Sequence, residues 1–263
     1  MRNVFGQRFG QCLCIDVAPQ AVSVRRVSRW RGAAPDVLAA QAIAPSADHP
    51  FDAIGNALRA LLGELDVQSW PVSIVLADEL TRMWRVTPPP GAARMADLEA
   101  AAGFRFQSLY AEAPATWQIS ADWHASQPFF AAAVPRDLLA ALHGVAQDCK
   151  LTIVAIEPRF VRAWNRSRRG LKQGAWFGHV HDNVLTLAAI EAGGTGLRAI
   201  RPLPIPLGAD HRWLTQTLQR EALLLDVTAP SLLQVQGNAP VNWFKPVNGV
   251  AHIPCTALAG SAA

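Results

Sequence analysis

No stretch of this 263-residue chain approaches the roughly 18 uninterrupted apolar residues that a membrane-crossing helix needs. Met1 to Gly10 carries Arg2 and Arg8 but lacks the apolar centre of a secretory leader, so a cytoplasmic location is expected. There is no glycine-rich P-loop, no G-x-S-x-G elbow and no H-E-x-x-H pair. The four cysteines include no C-x-x-C, and no cysteine–histidine set has zinc-ligand spacing, so buried free thiols are expected and no metal is assigned. Charged residues make up only 17% of the chain, and no platform of stacking aromatics accompanies the arginines, which argues against nucleic acid as a partner.

Half of the residues are apolar, enough for one large domain or two lobes with packed cores. The net charge of +4 is modest, but the basic residues gather. Arg25, Arg26, Arg29 and Arg31 form one group; Arg159, Arg162, Arg166, Arg168, Arg169 and Lys172 form another. Such groups read first as solvated helix ends and loops, and second as surfaces for an acidic partner or an anionic membrane face.

Along the chain, Cys14 to Val27 reads as two strands joined by a turn just after Asp16, broken by Pro19 and resumed at Val22, Val24 and Val27. Cys12 and Cys14 share one face of the first strand. Asp36 to Ile43 reads as a third strand. Phe51 to Leu65 has the helical period, with Ile54, Leu58, Leu61 and Leu62 on one face. Val72 to Ala77 and Thr81 to Val86 are short strands stopped by Pro88-Pro89-Pro90-Gly91, and Met95 to Phe106 is a helix. Thr116 to Trp123 and Phe129 to Val134 read as strands of a small sheet, putting Trp117 and Trp123 on one face. Pro135 opens a helix to about Cys149. Leu151 to Ile156 reads as a buried strand, and Pro158 leads a helix to Asn165.

Arg166 to Gln173 is a basic connector and the candidate lobe boundary. Strands at Ala175 to Val180, Val184 to Ile190 and Leu197 to Leu203 follow, then a helix from about Asp210 to Leu225, a strand at Leu232 to Val235, and a segment from Thr256 to Ala262. Asp182-Asn183 reads as a hairpin turn, and Gly193-Gly194-Thr195-Gly196 as a hairpin loop. His179 and His181 share a strand face without a third ligand. Glu157, at the end of its strand, reads first as a cap for the helix that follows it and second as a catalytic acid. Three strands, helix, strand, helix thus occurs once in each half of the chain.

The run Cys14-Ile15-Asp16-Val17-Ala18-Pro19-Gln20-Ala21-Val22-Ser23-Val24-Arg25-Arg26-Val27 resembles the first phosphate loop of actin-like ATPases in the form used by the PilM family of type IV pilus assembly proteins. Val72-Ser73-Ile74-Val75-Leu76, Arg82-Met83-Trp84-Arg85-Val86, Phe129 to Pro135, Leu151 to Pro158 and Ile200 to Gly208 are similar to further segments of that family. The resemblance implies an α/β, actin-like (ribonuclease H-like) two-lobe fold: residues 1–165 form a first lobe with a small inserted accessory sheet at about 88–134, and residues 166–263 a shortened second lobe.

It also implies a nucleotide cleft, and here the sequence departs from the pattern. Ala18 and Pro19 replace glycine and serine, and Pro19 offers no N–H to a phosphate. In Ala175-Trp176-Phe177-Gly178-His179-Val180, Gly178 is expected at the place of the second carboxylate, and the adenosine loop is reduced to Gln236-Gly237-Asn238-Ala239-Pro240. Asp16 therefore reads as a turn-capping residue, or as the vestige of a site for Mg-ATP. Hydrolysis is not expected and no cofactor is assigned.

By resemblance, the function is that of a cytoplasmic scaffold, peripheral at the inner membrane, in a type IV pilus, competence or related secretion machine. It would bind the cytoplasmic N-terminal peptide of an inner-membrane assembly protein, with Trp84, Arg85, Trp117 and Trp123 as candidate partner-binding residues, and would contact other cytoplasmic assembly components. The alternatives are an ATP-binding switch of the same fold and a secretion-system cytoplasmic domain of the GspL type.

Overall fold

The structure, a computed structural model, describes residues 10–28, 36–44, 50–191, 196–245 and 252–258. In chain order its strands are β1 (Gln11–Ala18), β2 (Ala21–Ser28), β3 (Asp36–Ala42), β4 (Pro71–Leu76), β5 (Arg82–Val86), β6 (Trp117–Ala121), β7 (Phe129–Pro135), β8 (Thr152–Pro158), β9 (Ala175–His181), β10 (Val184–Ile190), β11 (Leu197–Pro204), β12 (Leu232–Gly237) and β13 (Cys255–Ala257). The helices are α1 (Pro50–Gly63), α2 (Met95–Tyr110), α3 (Arg136–Asp148), α4 (Arg159–Ser167) and α5 (His211–Leu224). Contacts divide the chain into two compact units. One comprises Met1–Arg82, Ala92–Asp122 and Ala131–Arg159; the other comprises Met83–Gly91, Trp123–Phe130 and Phe160–Ala263.

In the first unit β1 and β2 form an antiparallel hairpin across the two-residue turn Pro19-Gln20, with Ala18 opposite Ala21 and Cys14 opposite Arg25. β3 adds antiparallel to β2, while β4 runs parallel to β1 and β8 parallel to β4, giving the order β3-β2-β1-β4-β8. Alternation in β1 turns Leu13, Ile15 and Val17 into a core that α1 covers with Ile54, Leu58, Leu61 and Leu62. α3 packs on α1 through Leu138, Leu142 and Val145. Arg59 of α1 donates from Nε to Asp148 of α3 at 2.8 Å and ties the pair at its solvent side. A small hairpin completes this unit: β6 pairs antiparallel with β7 from Trp117 opposite Pro135 to Ala121 opposite Ala131. α2 buries Phe106 against the Trp117 ring, with centroids 5.4 Å apart.

The second unit repeats the plan. β9 and β10 form a hairpin around Asp182-Asn183, both at positive φ (46° and 60°), the pair of values a two-residue type I′ turn requires. The strand order β11-β10-β9-β12-β13 matches that of the first unit position for position. α5 packs Leu214, Leu218 and Ala222 on Trp176, Val180, Leu185, Leu233 and Val235. The opposite face of the sheet is covered as well, Phe160 and Ala163 of α4 lying against Phe177 and Ala188. Coverage on both faces explains why β9 and β10 read as continuous apolar runs rather than alternating ones. Asp210 caps α5, its Oδ1 accepting from the Trp213 N–H at 2.9 Å.

Several expectations change. Leu151 to Ile156 is not buried: β8 is the edge strand of its sheet and leaves Val154 62% exposed, because an apolar run does not reveal how many neighbours a strand has. Pro135 stands at the N-cap of α3 and not in its first turn. β6 ends at Ala121, so Trp123 does not share its face with Trp117. Cys14 and Cys255 are buried, but Cys12 and Cys149 are only partly so. Gly193 to Thr195, and the chain from Ala259 onward, lie outside the described residues.

Burial in the second core pushes the Cys255 thiol from 9.0 up to about 12. A folded pKa above the unfolded one means that the folded chain holds this proton more tightly. Its contribution to stability is therefore complete below pH 9.0 and is lost as pH rises toward about 12. Between about pH 9 and pH 11 the wild type should lose more unfolding free energy than Cys255→Ala, by up to about 1.4 kcal/mol per pH unit for one proton. Urea midpoints measured across that range would show parallel losses if the thiol were solvated.

Candidate functional site

Asp16 lies in β1 opposite Ser23, on the face away from Leu13, Ile15 and Val17. Arg25 stands opposite Cys14, one pleat away on the same face of the hairpin. It donates both Nε and Nη2 to Asp16 Oδ2, at 2.9 and 2.6 Å. Arg159, delivered by the end of β8 as the first residue of α4, brings Nη2 to 3.7 Å from Asp16 Oδ1. The three side chains are 16%, 28% and 14% exposed, well shielded from solvent. Burial disfavours the charged form of Arg25, but the charge and hydrogen bond of Asp16 outweigh it and hold the guanidinium pKa above its usual value.

Asp16 is thus neither a turn cap nor a carboxylate facing open solvent. Its oxygens are turned to two fixed guanidinium groups, and a divalent cation placed on the same oxygens would meet both positive charges at short range. The turn that follows carries Pro19, which has no N–H for a phosphate oxygen.

The second hairpin corrects the alignment expected from the sequence. Counted back from the two-residue turns, Ala18 corresponds to His181, Val17 to Val180, Asp16 to His179 and Ile15 to Gly178. The place of the second carboxylate is therefore taken by His179, a buried residue whose ring lies 6.4 Å from that of His181. Gly178 faces the α5 side, where an added Cβ would meet Leu185 Cδ1 at 2.8 Å and Val235 Cγ1 at 3.1 Å. Its lack of a side chain serves packing. The third loop behaves alike: Gly237 has φ +96°, and a Cβ there would lie 2.0 Å from the Val180 carbonyl oxygen, which also accepts from Asn238 N–H at 3.0 Å. Among the described residues no group of three or more His, Cys, Asp or Glu is placed to hold a metal ion.

The four aromatic and basic residues singled out for a partner have different settings. Trp84 is buried on β5. Arg85 pairs with Glu191 Oε1 at 3.6 Å, and Glu191 with Arg198 lines an open hollow of about 560 Å³ in the second unit. Trp117 is largely buried, with the Arg82 guanidinium 5.2 Å from its ring centroid. That guanidinium also lies 5.5 Å from the Tyr110 ring and donates to Glu112 Oε1 at 3.1 Å. Arg82, Tyr110 and Glu112 escape a reading of the sequence because helix α2 and its following turn bring them together. Trp123, partly exposed, packs on Phe129 with centroids 5.5 Å apart. Glu157 sits within β8, opposite Val75.

No family model matches the chain, and no curated protein sequence matches it. Solved structures do. The chain is similar to the cytoplasmic domain of EpsL, an inner membrane component of the type II secretion system of Vibrio cholerae, at TM-score 0.54 and 13% identity over 88% of this chain and 83% of that one. It is similar to a PilM-PilN type IV pilus biogenesis complex at TM-score 0.57 and 14% identity, over 88% and 82%. It is also similar to a protein of actin-like ATPase fold and unknown function from Bacteroides thetaiotaomicron, at TM-score 0.59 and 10% identity, over 90% and 86%. Together with the doubled strand order, these likenesses establish the actin-like ATPase fold.

Two consequences can be measured. Asp16→Asn should lower unfolding free energy by about 1–3 kcal/mol, since it leaves two shielded guanidinium groups without their counter-charge. The double variant with Arg25→Gln should recover part of that loss in a double-mutant cycle; additive losses would mean the pair is not coupled. Gly237→Ala should cost about 2–5 kcal/mol because the new methyl meets backbone. Gly178→Ala should cost only about 1–3 kcal/mol, because Leu185 can rotate away. Equal denaturation midpoints for the two glycine variants would contradict this.

Proposed function

We propose that this chain is a cytoplasmic scaffold of a type IV pilus, competence or related secretion machine, and that it binds the cytoplasmic tail of an inner-membrane assembly protein. The observation that carries the non-catalytic part of this reading is the Asp16 carboxylate, already engaged by Arg25 at 2.6 Å and faced by Arg159. A hydrolytic site of this fold needs that oxygen pair for hydrated magnesium and a second carboxylate on the other hairpin. His179 occupies the latter position.

The assembly role is supported by likeness to the PilM-PilN complex and to the EpsL cytoplasmic domain, each over more than four-fifths of both chains. A second reading, the GspL type, in which the same fold is one domain of an inner-membrane secretion component, is favoured by the EpsL likeness itself. Among the described residues no helix is long and apolar enough to cross a membrane. Under either reading the protein acts at the cytoplasmic face of the inner membrane and recognises a peptide by pockets and extended backbone rather than by chemistry.

Calorimetric titration with Mg-ATP should give no heat at protein concentrations able to detect a Kd near about 1 mM. One-to-one binding that disappears in Asp16→Ala would replace the scaffold reading with a nucleotide switch. For the partner, Arg85→Glu and Trp123→Ala should weaken binding of the tail peptide of an inner-membrane assembly protein about 10-fold or more in fluorescence anisotropy, with far-UV circular dichroism unchanged. Trp84→Ala and Trp117→Ala should instead lower stability by about 3–5 kcal/mol, because both rings are buried. Undiminished peptide affinity in Arg85→Glu and Trp123→Ala would move the docking surface elsewhere.

A further inference from the structure

Between Arg159 and His181 the chain contains no aspartate or glutamate, although it carries Arg159, Arg162, Arg166, Arg168, Arg169 and Lys172. The second unit shows what becomes of the later ones. α4 turns Phe160 and Ala163 into the sheet and ends at Ser167 with Arg166 in its last turn; a 3-10 turn, Arg168–Gly170, follows. Arg166, Arg168, Arg169 and Lys172 are all exposed, and among the described residues none of their side chains forms an ion pair.

The segment is nevertheless anchored. Ser167 Oγ donates to Gln236 Oε1 at 3.2 Å, and the Lys172 backbone N–H donates to Gln234 Oε1 at 2.6 Å, so both ends of the turn are fixed to β12. The result is a held, outward-facing group of four uncompensated cations. This contrasts with Arg25, Arg59, Arg82 and Arg201, each of which has a carboxylate partner.

We infer that this basic turn is a docking surface for anionic lipid headgroups, carried by the fold itself. Two observations and one general consideration favour a lipid surface over other anions. The cations sit on a helix end and a short turn and all four are exposed, an arrangement suited to a broad sheet of charge rather than to one defined side chain. The cations from Arg166 to Lys172 are interleaved with no aromatic residue on which nucleic acid bases could stack, and the nearby Trp164 is packed on Phe160 and Phe177. A fluid anionic surface also requires only charge density, which lysine and arginine near a membrane supply additively at about five-fold in partitioning for each cation.

The test uses the whole chain and extruded vesicles of phosphatidylcholine, with or without about half phosphatidylglycerol. Co-sedimentation should show binding to the anionic vesicles alone, weakened sharply when salt rises from about 0.05 M to 0.5 M. The triple variant Arg166→Gln, Arg168→Gln, Arg169→Gln should lose on the order of 100-fold in partitioning. A control triple variant with the same loss of charge at exposed positions elsewhere, Arg105→Gln, Arg212→Gln and Lys245→Gln, should bind as the wild type does; thermal unfolding checks that both variants fold.

No binding by the wild type, or equal loss in the control, would overturn the inference. So would a poly-glutamate peptide or an oligonucleotide that binds in the patch-dependent way while vesicles do not. The assay contains no assembly protein, so failure of the proposed scaffold function leaves it unaffected, and the converse holds as well.

Discussion

Two hairpins with two-residue turns fix the register on which both halves of this molecule are built. Because side chains alternate along a strand, placing the turn at Pro19-Gln20 decides that Ile15 and Val17 enter the first core while Asp16 points away from it. The turn at Asp182-Asn183, held by two residues that tolerate positive φ, does the same for Trp176, Gly178 and Val180. A one-residue slip in either hairpin would exchange the core set for the loop set. Everything that follows in each sheet, from the parallel β4 and β12 to the covering helices α1 and α5, packs against a face chosen by that turn.

The same register explains why a fold associated with nucleotides carries such altered loops here. Once Asp16 projects from the first hairpin in a shielded setting, its charge needs a partner. The chain supplies Arg25 from the neighbouring strand and Arg159 from the end of the sheet. An internal ion pair of this kind satisfies the carboxylate without a ligand, and it makes the hairpin self-sufficient. The glycines follow a parallel logic. Gly178 lies next to the place of the second carboxylate and Gly237 in the loop that the resemblance assigns to adenosine, yet their missing side chains make room for Leu185, Val235 and the Val180 carbonyl.

Much of the fold could be read from the residues because its signals are local. The period of Ile54, Leu58, Leu61 and Leu62 declares α1, and Asp182-Asn183 declares its turn. The doubled order of elements declares two similar sheets. The Asp16–Arg25 pair was within reach of the same reading, since the turn position puts Arg25 one pleat from Asp16 on one face. Arg159 was not, because only the parallel pairing of β4 with β8 brings it there. The edge position of β8, the Arg82 guanidinium over Trp117, and the placing of His179 rather than Gly178 at the position of the missing acid all depend on register or on contacts distant in sequence. Composition carries no information about those.

The strand order of the first unit also has a temporal side. β1, β2, β3, α1 and β4 are contiguous enough to associate as they leave the ribosome. β8, which covers the last open edge of β4, and α3, which completes the packing on α1, are encoded only after the whole α2–β7 excursion. During that interval β4 presents an unpaired edge built from Val72, Ile74, Val75 and Leu76. The nascent chain is therefore most open to mispairing along the β4 edge of its own first sheet, and synthesis of Thr152 to Pro158 is the event that closes it.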